Sequence, residues 1–450
     1  MVGARLSPGR DPLKLLTRMA REYGDIVYYR MGGERVYFVN HPQYIRDVLV
    51  THQKNFTKSR GLERAKRLLG EGLLTSEGAT HLRQRRLLQP AFHRDRIANY
   101  ASVMVAHADR LCERWSPGTT VDVSKEMMRL TLSIVGKTLF SSDVESQADE
   151  VGVAVTEVLA TFWFTLLPFQ GLVERLPLPI LRRGRASRAR LDALIYSMID
   201  ERRATGRDHG DLLSMLLAVR DDQRQGLSQL SPQQVRDEAI TLLLAGHETT
   251  ANALTWTWYL LSQHPDVEAR LHAEIDTVLA GRLPTLADIE RLPLVEQIVT
   301  ESMRLYPPAW IIGRRAIGEY TLGPYTLPPR AMIFMSPYVT QRDARFFPDP
   351  DRFDPRRWSA AGAAALPKFA YFPFGGGARQ CIGEHFAWLE LVLVVATISQ
   401  RWQLRLVPNH PVVPQPLITL RAKHGMAMAP VRRTGARAVV DVGTATPQRV

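Results

Sequence analysis

Phe374-Gly375-Gly376-Gly377-Ala378-Arg379-Gln380-Cys381-Ile382-Gly383 is a glycine-rich loop that runs into an apolar helix, expected over about Ile382 to Gln400. Glycines let a backbone approach a large flat ligand, and the N–H groups and dipole of a helix start stabilise a thiolate. Such a loop can hold Cys381 deprotonated as an axial metal ligand, with Gly383 sparing a clash behind the sulfur. Arg379 can pair with a carboxylate at the ligand's edge. Two plainer readings compete. A glycine-rich loop before a helix also cradles phosphate, but the Lys-Ser/Thr ending of that motif is missing. A lone cysteine is ordinarily a small buried hydrophobe. Cys112, in the helical pattern Ala108-Asp109-Arg110-Leu111-Cys112-Glu113, is read that way, whereas Cys381 has Phe374, Gly377, Arg379 and Gly383 spaced around it.

Upstream lies the best-defined helix. Ser231, Pro232 and Gln234 form a capping-box start, and the helical pattern runs to about Gln263, before His264-Pro265. At 1.5 Å per residue such a helix is roughly 50 Å long and would cross the whole molecule. Its middle reads Ala245-Gly246-His247-Glu248-Thr249-Thr250. Glycine costs about 1 kcal/mol in a helix interior, and an acid beside two hydroxyls is unusual in an apolar helix. Ala245, Gly246 and Thr249 share a face, where a missing side chain and a threonine hydroxyl would open a groove for dioxygen or water. The alternative is a simple helix bend with Glu248 paired internally. Further on, Glu301 and Arg304 share a helical face, and Pro350-Asp351-Arg352-Phe353 supplies an arginine that would complete a structural Glu-Arg-Arg network.

The whole chain sets the frame for these motifs. With 45% hydrophobic and 23% charged residues among 450, it has enough apolar matter for a large core and too much for disorder. Residues 1–450 are read as a single domain. β-rich parts are expected at roughly 20–60 and 307–345, a helical body at 75–305, the cysteine loop at 374–383 and a frayed tail at 433–450. The N-terminus has no apolar core of the signal or anchor type. The apolar stretch Ala239–Leu261 carries Glu248 at its centre, so no transmembrane segment and a cytoplasmic location are expected. Two cysteines fit a reducing compartment. The formal charge of +13 favours an acidic partner. The run Arg182-Arg183-Gly184-Arg185, without interleaved aromatics, reads as a solvated face rather than a nucleic-acid site.

The cysteine loop, the Ala-Gly-x-Glu-Thr helix and the Glu-x-x-Arg pair, in this order and at these separations, resemble the cytochrome P450 family over nearly the whole chain. The resemblance implies a mainly α, triangular fold with a smaller β-rich lobe and a long central helix crossing the heme. It implies heme b, with Cys381 as iron ligand and Phe374, Gly375, Gly383, Ala245 and Gly246 around the cofactor. By the same resemblance, Thr249 and Glu248 are the alcohol and acid that deliver protons for oxygen activation, Glu248 standing where many members have aspartate. His81-Leu82-Arg83-Gln84-Arg85 matches the family's propionate segment with His81 in place of tryptophan, and Arg314, or Arg315 beside it, matches a further propionate arginine.

The reaction implied is monooxygenation. No dinucleotide-binding glycine motif occurs, so electrons would come from a separate protein, an acidic ferredoxin or flavodoxin with its reductase, acting on a monomer. Pocket segments by resemblance are Pro308 to Ile312, including Ala309, Trp310 and Ile311, the region of Leu243 and Leu244, and parts of 162–172, with Trp163 as a pocket or core residue. All are apolar, which points to a large hydrophobic substrate: a terpenoid, a carotenoid or a fatty acid. The rival functions are a heme-thiolate peroxygenase or isomerase, and a non-catalytic heme sensor. The pair of Glu248 and Thr249 argues against the sensor, and Thr249 weighs against the peroxygenase or isomerase.

Overall fold

The computed structural model describes residues 11–141, 148–165, 176–218 and 230–433. Five helices frame the interior: α1 (Gly78–Leu88), α2 (Arg94–Arg114), α3 (Val123–Phe140), α4 (Pro232–Gln263) and, after it, α5 (Pro293–Leu305). A sixth, α6 (Glu384–Arg401), comes after the cysteine loop. The start of α4 is fixed as its sequence dictates. The Ser231 hydroxyl accepts from the Gln234 N–H at 3.2 Å, and the Gln234 side chain accepts from the Ser231 N–H at 2.9 Å. From Val235 to Trp258 every residue of α4 is buried except Ala245, Gly246 and Thr249. A helix enclosed on nearly all sides forms the axis of the core, with α3 and α6 packed along it.

The two β-rich segments expected at opposite ends of the chain meet in one sheet. Its strands are β1 (Ile26–Met31), β2 (Glu34–Val39), β3 (Phe56–Lys58), β4 (Ile312–Ala316) and β5 (Met332–Met335), ordered β1-β2-β5-β4-β3. Within it the β2–β5 pairing is parallel and the others are antiparallel. Alternation sorts β2 between two cores. Val36 and Phe38 pack with Leu13, Leu16 and Met19 of the N-terminal helix Pro12–Tyr23, while Tyr37 and Val39 pack with Ile45 and Phe56 on the other face. In the β3–β4 register Lys58 stands directly opposite Arg314.

A third β region was not anticipated. Residues 402–432 form a three-stranded sheet with Val121–Asp122, and a short hairpin of β6 (Pro414–Pro416) and β7 (Leu420–Ala422). Arg433, placed in the expected tail, is instead part of the folded body. Arg433 is anchored to Asp276 at 2.7 Å and to the Ser399 carbonyl at 2.8 Å, and 434–450 lie outside the described residues. Among the described residues no helix is long and apolar enough to cross a membrane.

Candidate active site

The loop before α6 is shaped by a close approach. At Gly377, φ is +70° and an added Cβ would fall 2.0 Å from the Leu49 carbonyl oxygen, so only glycine fits. The Cys381 N–H donates to the Phe374 carbonyl at 3.0 Å, which turns the thiol into a large cavity. Two expectations change here. A Cβ on Gly383 would meet only Phe92, at an ordinary 3.7 Å, so Gly383 does not spare a clash; its N–H instead bonds the Cys381 sulfur. The helix also begins at Glu384 rather than Ile382, which leaves Cys381 outside its first turn. Burial pushes the thiol up to about 11, against the pull of the Gly383 N–H and the Arg85 guanidinium. A thiol in that range ionises near neutrality when a metal cation takes its proton's place.

One side of the cavity is a cluster of buried cations. Lys58, Arg314 and Arg379 all line it, and Lys58 and Arg314 are nearly inaccessible. Burial drives Lys58 down to about 7, and Arg314 to about 10 with Arg379 beside it. The acid among them is Glu77. Burial would raise its carboxyl, but the Lys58 N–H and the Arg379 guanidinium outweigh that and hold it below its ordinary value. Three cations against one carboxylate leave an excess of positive charge. Among the described residues Arg379 Nε has no acceptor, and the Arg314 guanidinium turns back to the carbonyl of its own neighbour Gly313, at 3.1 Å. Like charges directly across two strands are unfavourable unless an anion lies between them. Sequence reading missed Lys58 and Glu77. The available signal was that Lys58 shares a strand face with the buried Phe56.

His81 and Arg85 stand just behind this cluster. His81 is buried, and burial together with Lys58 and Arg379 holds it at about 4, hence neutral; it does not reach the cavity wall. Arg85 donates to the Gln380 carbonyl at 2.7 Å, bracing the cysteine loop. Arg314 faces the cavity, whereas Arg315 points outward to Glu63 at 3.2 Å.

Opposite Cys381, the open stretch of α4 presents Ala245, Gly246 and Thr249. The Thr249 hydroxyl donates to the Ala245 carbonyl at 2.8 Å. An added Cβ at Gly246 would meet Val135 of α3 at 3.1 Å, so its missing side chain serves helix packing as much as the cavity. Glu248 turns away: its carboxylate is buried off the cavity, paired with Arg421 at 2.6 Å and bonded by the Thr419 hydroxyl. Leu244 belongs to the core between helices, and Leu242 lines the cavity in its place. Ala309, Trp310 and Ile311 line it as expected from the 308–312 segment. Part of 162–172, and the side chain of Trp163, lie outside the described residues.

Glu301 and Arg304 form a fully buried pair at 2.8 Å, away from the cavity. The third arginine is a correction. Arg352 is exposed and contributes only its carbonyl, while Arg357 approaches Glu301 at 3.4 Å.

The cavity of about 1470 Å³ thus has one thiol on its floor, an anion-seeking cluster at one edge and a mostly apolar remainder. Among the described residues no three His, Cys, Asp or Glu side chains gather as a metal site, so a metal held by Cys381 would bring its other ligands with it. A flat iron chelate carrying two carboxylates meets each of these demands, and the residues present fit a heme. Cys381 would hold the iron, and Arg314, Arg379 and Lys58 would hold the carboxylates.

The family description Cytochrome P450 matches residues 2–427. Cyclooctatin synthase of Streptomyces melanosporofaciens is 42% identical over 94% of this chain and 92% of its own. Cyclooctat-9-en-7-ol 5-monooxygenase of the same organism is 39% identical over 91% and 88%, and pentalenene oxygenase of Streptomyces avermitilis 37% identical over 93% and 93%. Of the solved structures, retinoic acid bound cyanobacterial CYP120A1 aligns with a TM-score of 0.83 at 26% identity, covering 92% of this chain and 93% of that one. The cytochrome P450DA heme domain aligns at 0.84 and 26%, covering 94% and 93%. With the thiol loop, the anion-seeking edge and the open stretch of α4 in place, the chain belongs to the cytochrome P450 family and is a monooxygenase.

Proposed function

We propose that the chain oxygenates a terpenoid, holding heme b on Cys381 and the substrate against Thr249. The observation that carries this reading is the contrast across one cavity: charged groups crowd the edge toward β3 and β4, while Leu242, Ala309, Ile311 and Leu417 leave the Thr249 side apolar. An apolar chamber of this size rewards a large hydrocarbon by roughly 25 cal/mol per Å² buried and offers little to a polar metabolite. Relatives named for acting on cyclooctat-9-en-7-ol and pentalenene support a terpenoid over a carotenoid or a fatty acid.

Heme with a thiolate ligand, when bound, supplies the activation of dioxygen. The chain's own residues supply the rest. Cys381 opens onto the cavity, where its sulfur is accessible to a bound group, and Arg85 fixes the loop behind it. Arg314, Arg379 and Lys58 neutralise the carboxylate edge. The bond from the Thr249 hydroxyl to the Ala245 carbonyl is local, and this hydroxyl can exchange it to accept and pass a proton in the cavity. Proton handling is assigned to Thr249, because the Glu248 carboxylate is engaged elsewhere. Electrons come from an acidic ferredoxin or flavodoxin with its reductase, docking on a monomer near the cysteine loop, and the charge of +13 favours such a partner.

The test is the absorption spectrum of the reduced, carbon monoxide-bound protein beside that of Cys381→Ser, then turnover of a terpenoid panel with an acidic ferredoxin system. A thiolate-type band lost in the variant, together with oxygenated terpenoid product, is expected. An unchanged band in Cys381→Ser would overturn the ligand, and oxidation of fatty acids alone would overturn the substrate class.

A further inference from the structure

Glu248, one residue before Thr249, lies on a second stripe of α4. Glu248, Asn252 and Trp256 recur at intervals of four, a stripe turned about 100° from the cavity stripe Ala245, Thr249 and Ala253. This second stripe grips three consecutive residues of the β6–β7 hairpin. The Glu248 carboxylate accepts from Arg421 Nε at 2.7 Å and from the Thr419 hydroxyl. Asn252 Nδ2 donates to the same Thr419 oxygen at 3.1 Å, and Trp256 Nε1 donates to the Leu420 carbonyl at 2.9 Å. The hairpin has three residues in each strand, too few to hold a position by itself. Its tip, Leu417 and Ile418, forms part of the cavity wall, and the Leu417 carbonyl accepts from the cavity residue Trp310 at 2.8 Å.

We propose that Glu248 is a positioning residue which, with Asn252, pins Leu417 and Ile418 through Thr419 and Arg421 and so selects the substrate carbon presented for oxygenation. The inference rests on the cavity being the substrate site. Glu248 and Thr249 then divide two tasks between adjacent faces of one helix. Thr249 touches the cavity, while Glu248 sets the shape of the wall beside Trp310 without touching substrate. The carboxylate suits this role because two strong donors converge on one oxygen in a buried place, which fixes direction as well as distance.

The experiment compares the heme-loaded protein with Thr419→Val, Arg421→Met and Glu248→Gln. Two properties are read: amide hydrogen exchange in residues 414–422, and the ratio of positional isomers formed from a terpenoid. The two hairpin variants leave the acid in place, and Thr419→Val keeps the side chain's shape. All three should exchange at least about tenfold faster over 414–422 and shift the isomer ratio in the same direction. Coupling of reducing equivalents and the solvent deuterium isotope effect on turnover should stay at parental values, and Thr419→Ser should restore the parental ratio. Unchanged exchange, or faster exchange with an unchanged ratio, overturns the proposal. So does uncoupling confined to Glu248→Gln, which would make the acid a proton donor. If no terpenoid is converted even by the parent, the substrate reading fails, while the exchange measurement still decides the pin.

Discussion

The arginine–carboxylate clusters around Glu301 and around Glu77 are built to opposite plans. Around Glu301 the carboxylate and Arg304 are fully bonded within the protein, while Arg357 Nε stands 3.4 Å from Glu301 with no hydrogen-bond acceptor among the described residues. Arg304 makes five hydrogen bonds from its five N–H groups: two to Glu301, and one each to the carbonyls of Gln341, Pro350 and Arg352. Glu301 accepts further from Trp358 Nε1 and the Asp354 N–H. Around Glu77 the charges are left unbalanced: three cations face one carboxylate, Arg379 Nε is without an acceptor among the described residues, and Lys58, though bonded to the Leu73 and Ser76 carbonyls, stands opposite Arg314 across two strands. A closed network is a structural part, and an open one at a cavity edge is the imprint of a ligand.

The largest effect should come from breaking the closed network. Arg304→Ala strands a wholly buried Glu301, and removing one partner of such a pair costs about 3–5 kcal/mol. Urea unfolding should show that loss equally with and without heme. A loss seen only in the heme-loaded protein would abolish the distinction between the two clusters.

The open cluster should respond the other way. Arg314→Ala removes a donor to the cofactor, and charged hydrogen bonds of about 1.5–3 kcal/mol predict a roughly 10- to 100-fold weaker heme titration. The apoprotein should lose no stability, because a repulsion with Lys58 goes with the side chain. An apoprotein destabilised as strongly as by Arg304→Ala would make Arg314 structural.

A pH experiment sharpens the same contrast with a smaller effect. Lys58 keeps its proton to about 10.5 when unfolded and releases it near 7 in the folded apoprotein. Between those values the unfolded chain binds the extra proton, so this lysine makes apoprotein stability rise from about pH 7 to 10.5 and fall as pH returns through that window. Lys58→Met should flatten that rise, and so should heme, whose carboxylates favour the charged lysine. Identical slopes in the parent and Lys58→Met apoproteins would show that burial leaves Lys58 charged.

Legibility in the sequence depends on how local each feature is. Ser231, Pro232 and Gln234 write the start of α4 within four residues, and the cysteine loop carries its glycines beside the thiol they serve. Helix phase is a finer matter. Leu242 and Leu244 differ by about 200° around α4, so an error of two positions exchanges cavity for core. Lys58 and Glu77 were invisible for another reason: Lys58 matters through the β3–β4 register and Glu77 through its pairing with Arg379 of the cysteine loop, contacts between segments far apart in the chain. Glu248 was read beside Thr249 because they adjoin in sequence, yet neighbours on a helix face different ways, and its partner Arg421 lies in a hairpin that no periodicity announces.

The smallest expected effect concerns the third arginine of the closed network. Arg352 sits in the motif Pro350-Asp351-Arg352-Phe353, but its side chain is exposed, and Arg304 uses only its carbonyl oxygen, which alanine keeps. Arg352→Ala should therefore change stability by less than about 0.5 kcal/mol. Arg357, five residues later, approaches Glu301 at 3.4 Å and donates to the Asp349 carbonyl at 2.8 Å; its removal should cost about 1–3 kcal/mol. The difference has a direct cause. Glu301 is wholly buried beside Arg304, so a second guanidinium within reach interacts with it strongly, while one in solvent is screened. Urea midpoints of the two alanine variants decide the matter, and equal midpoints would mean that the network closes with Arg304 alone.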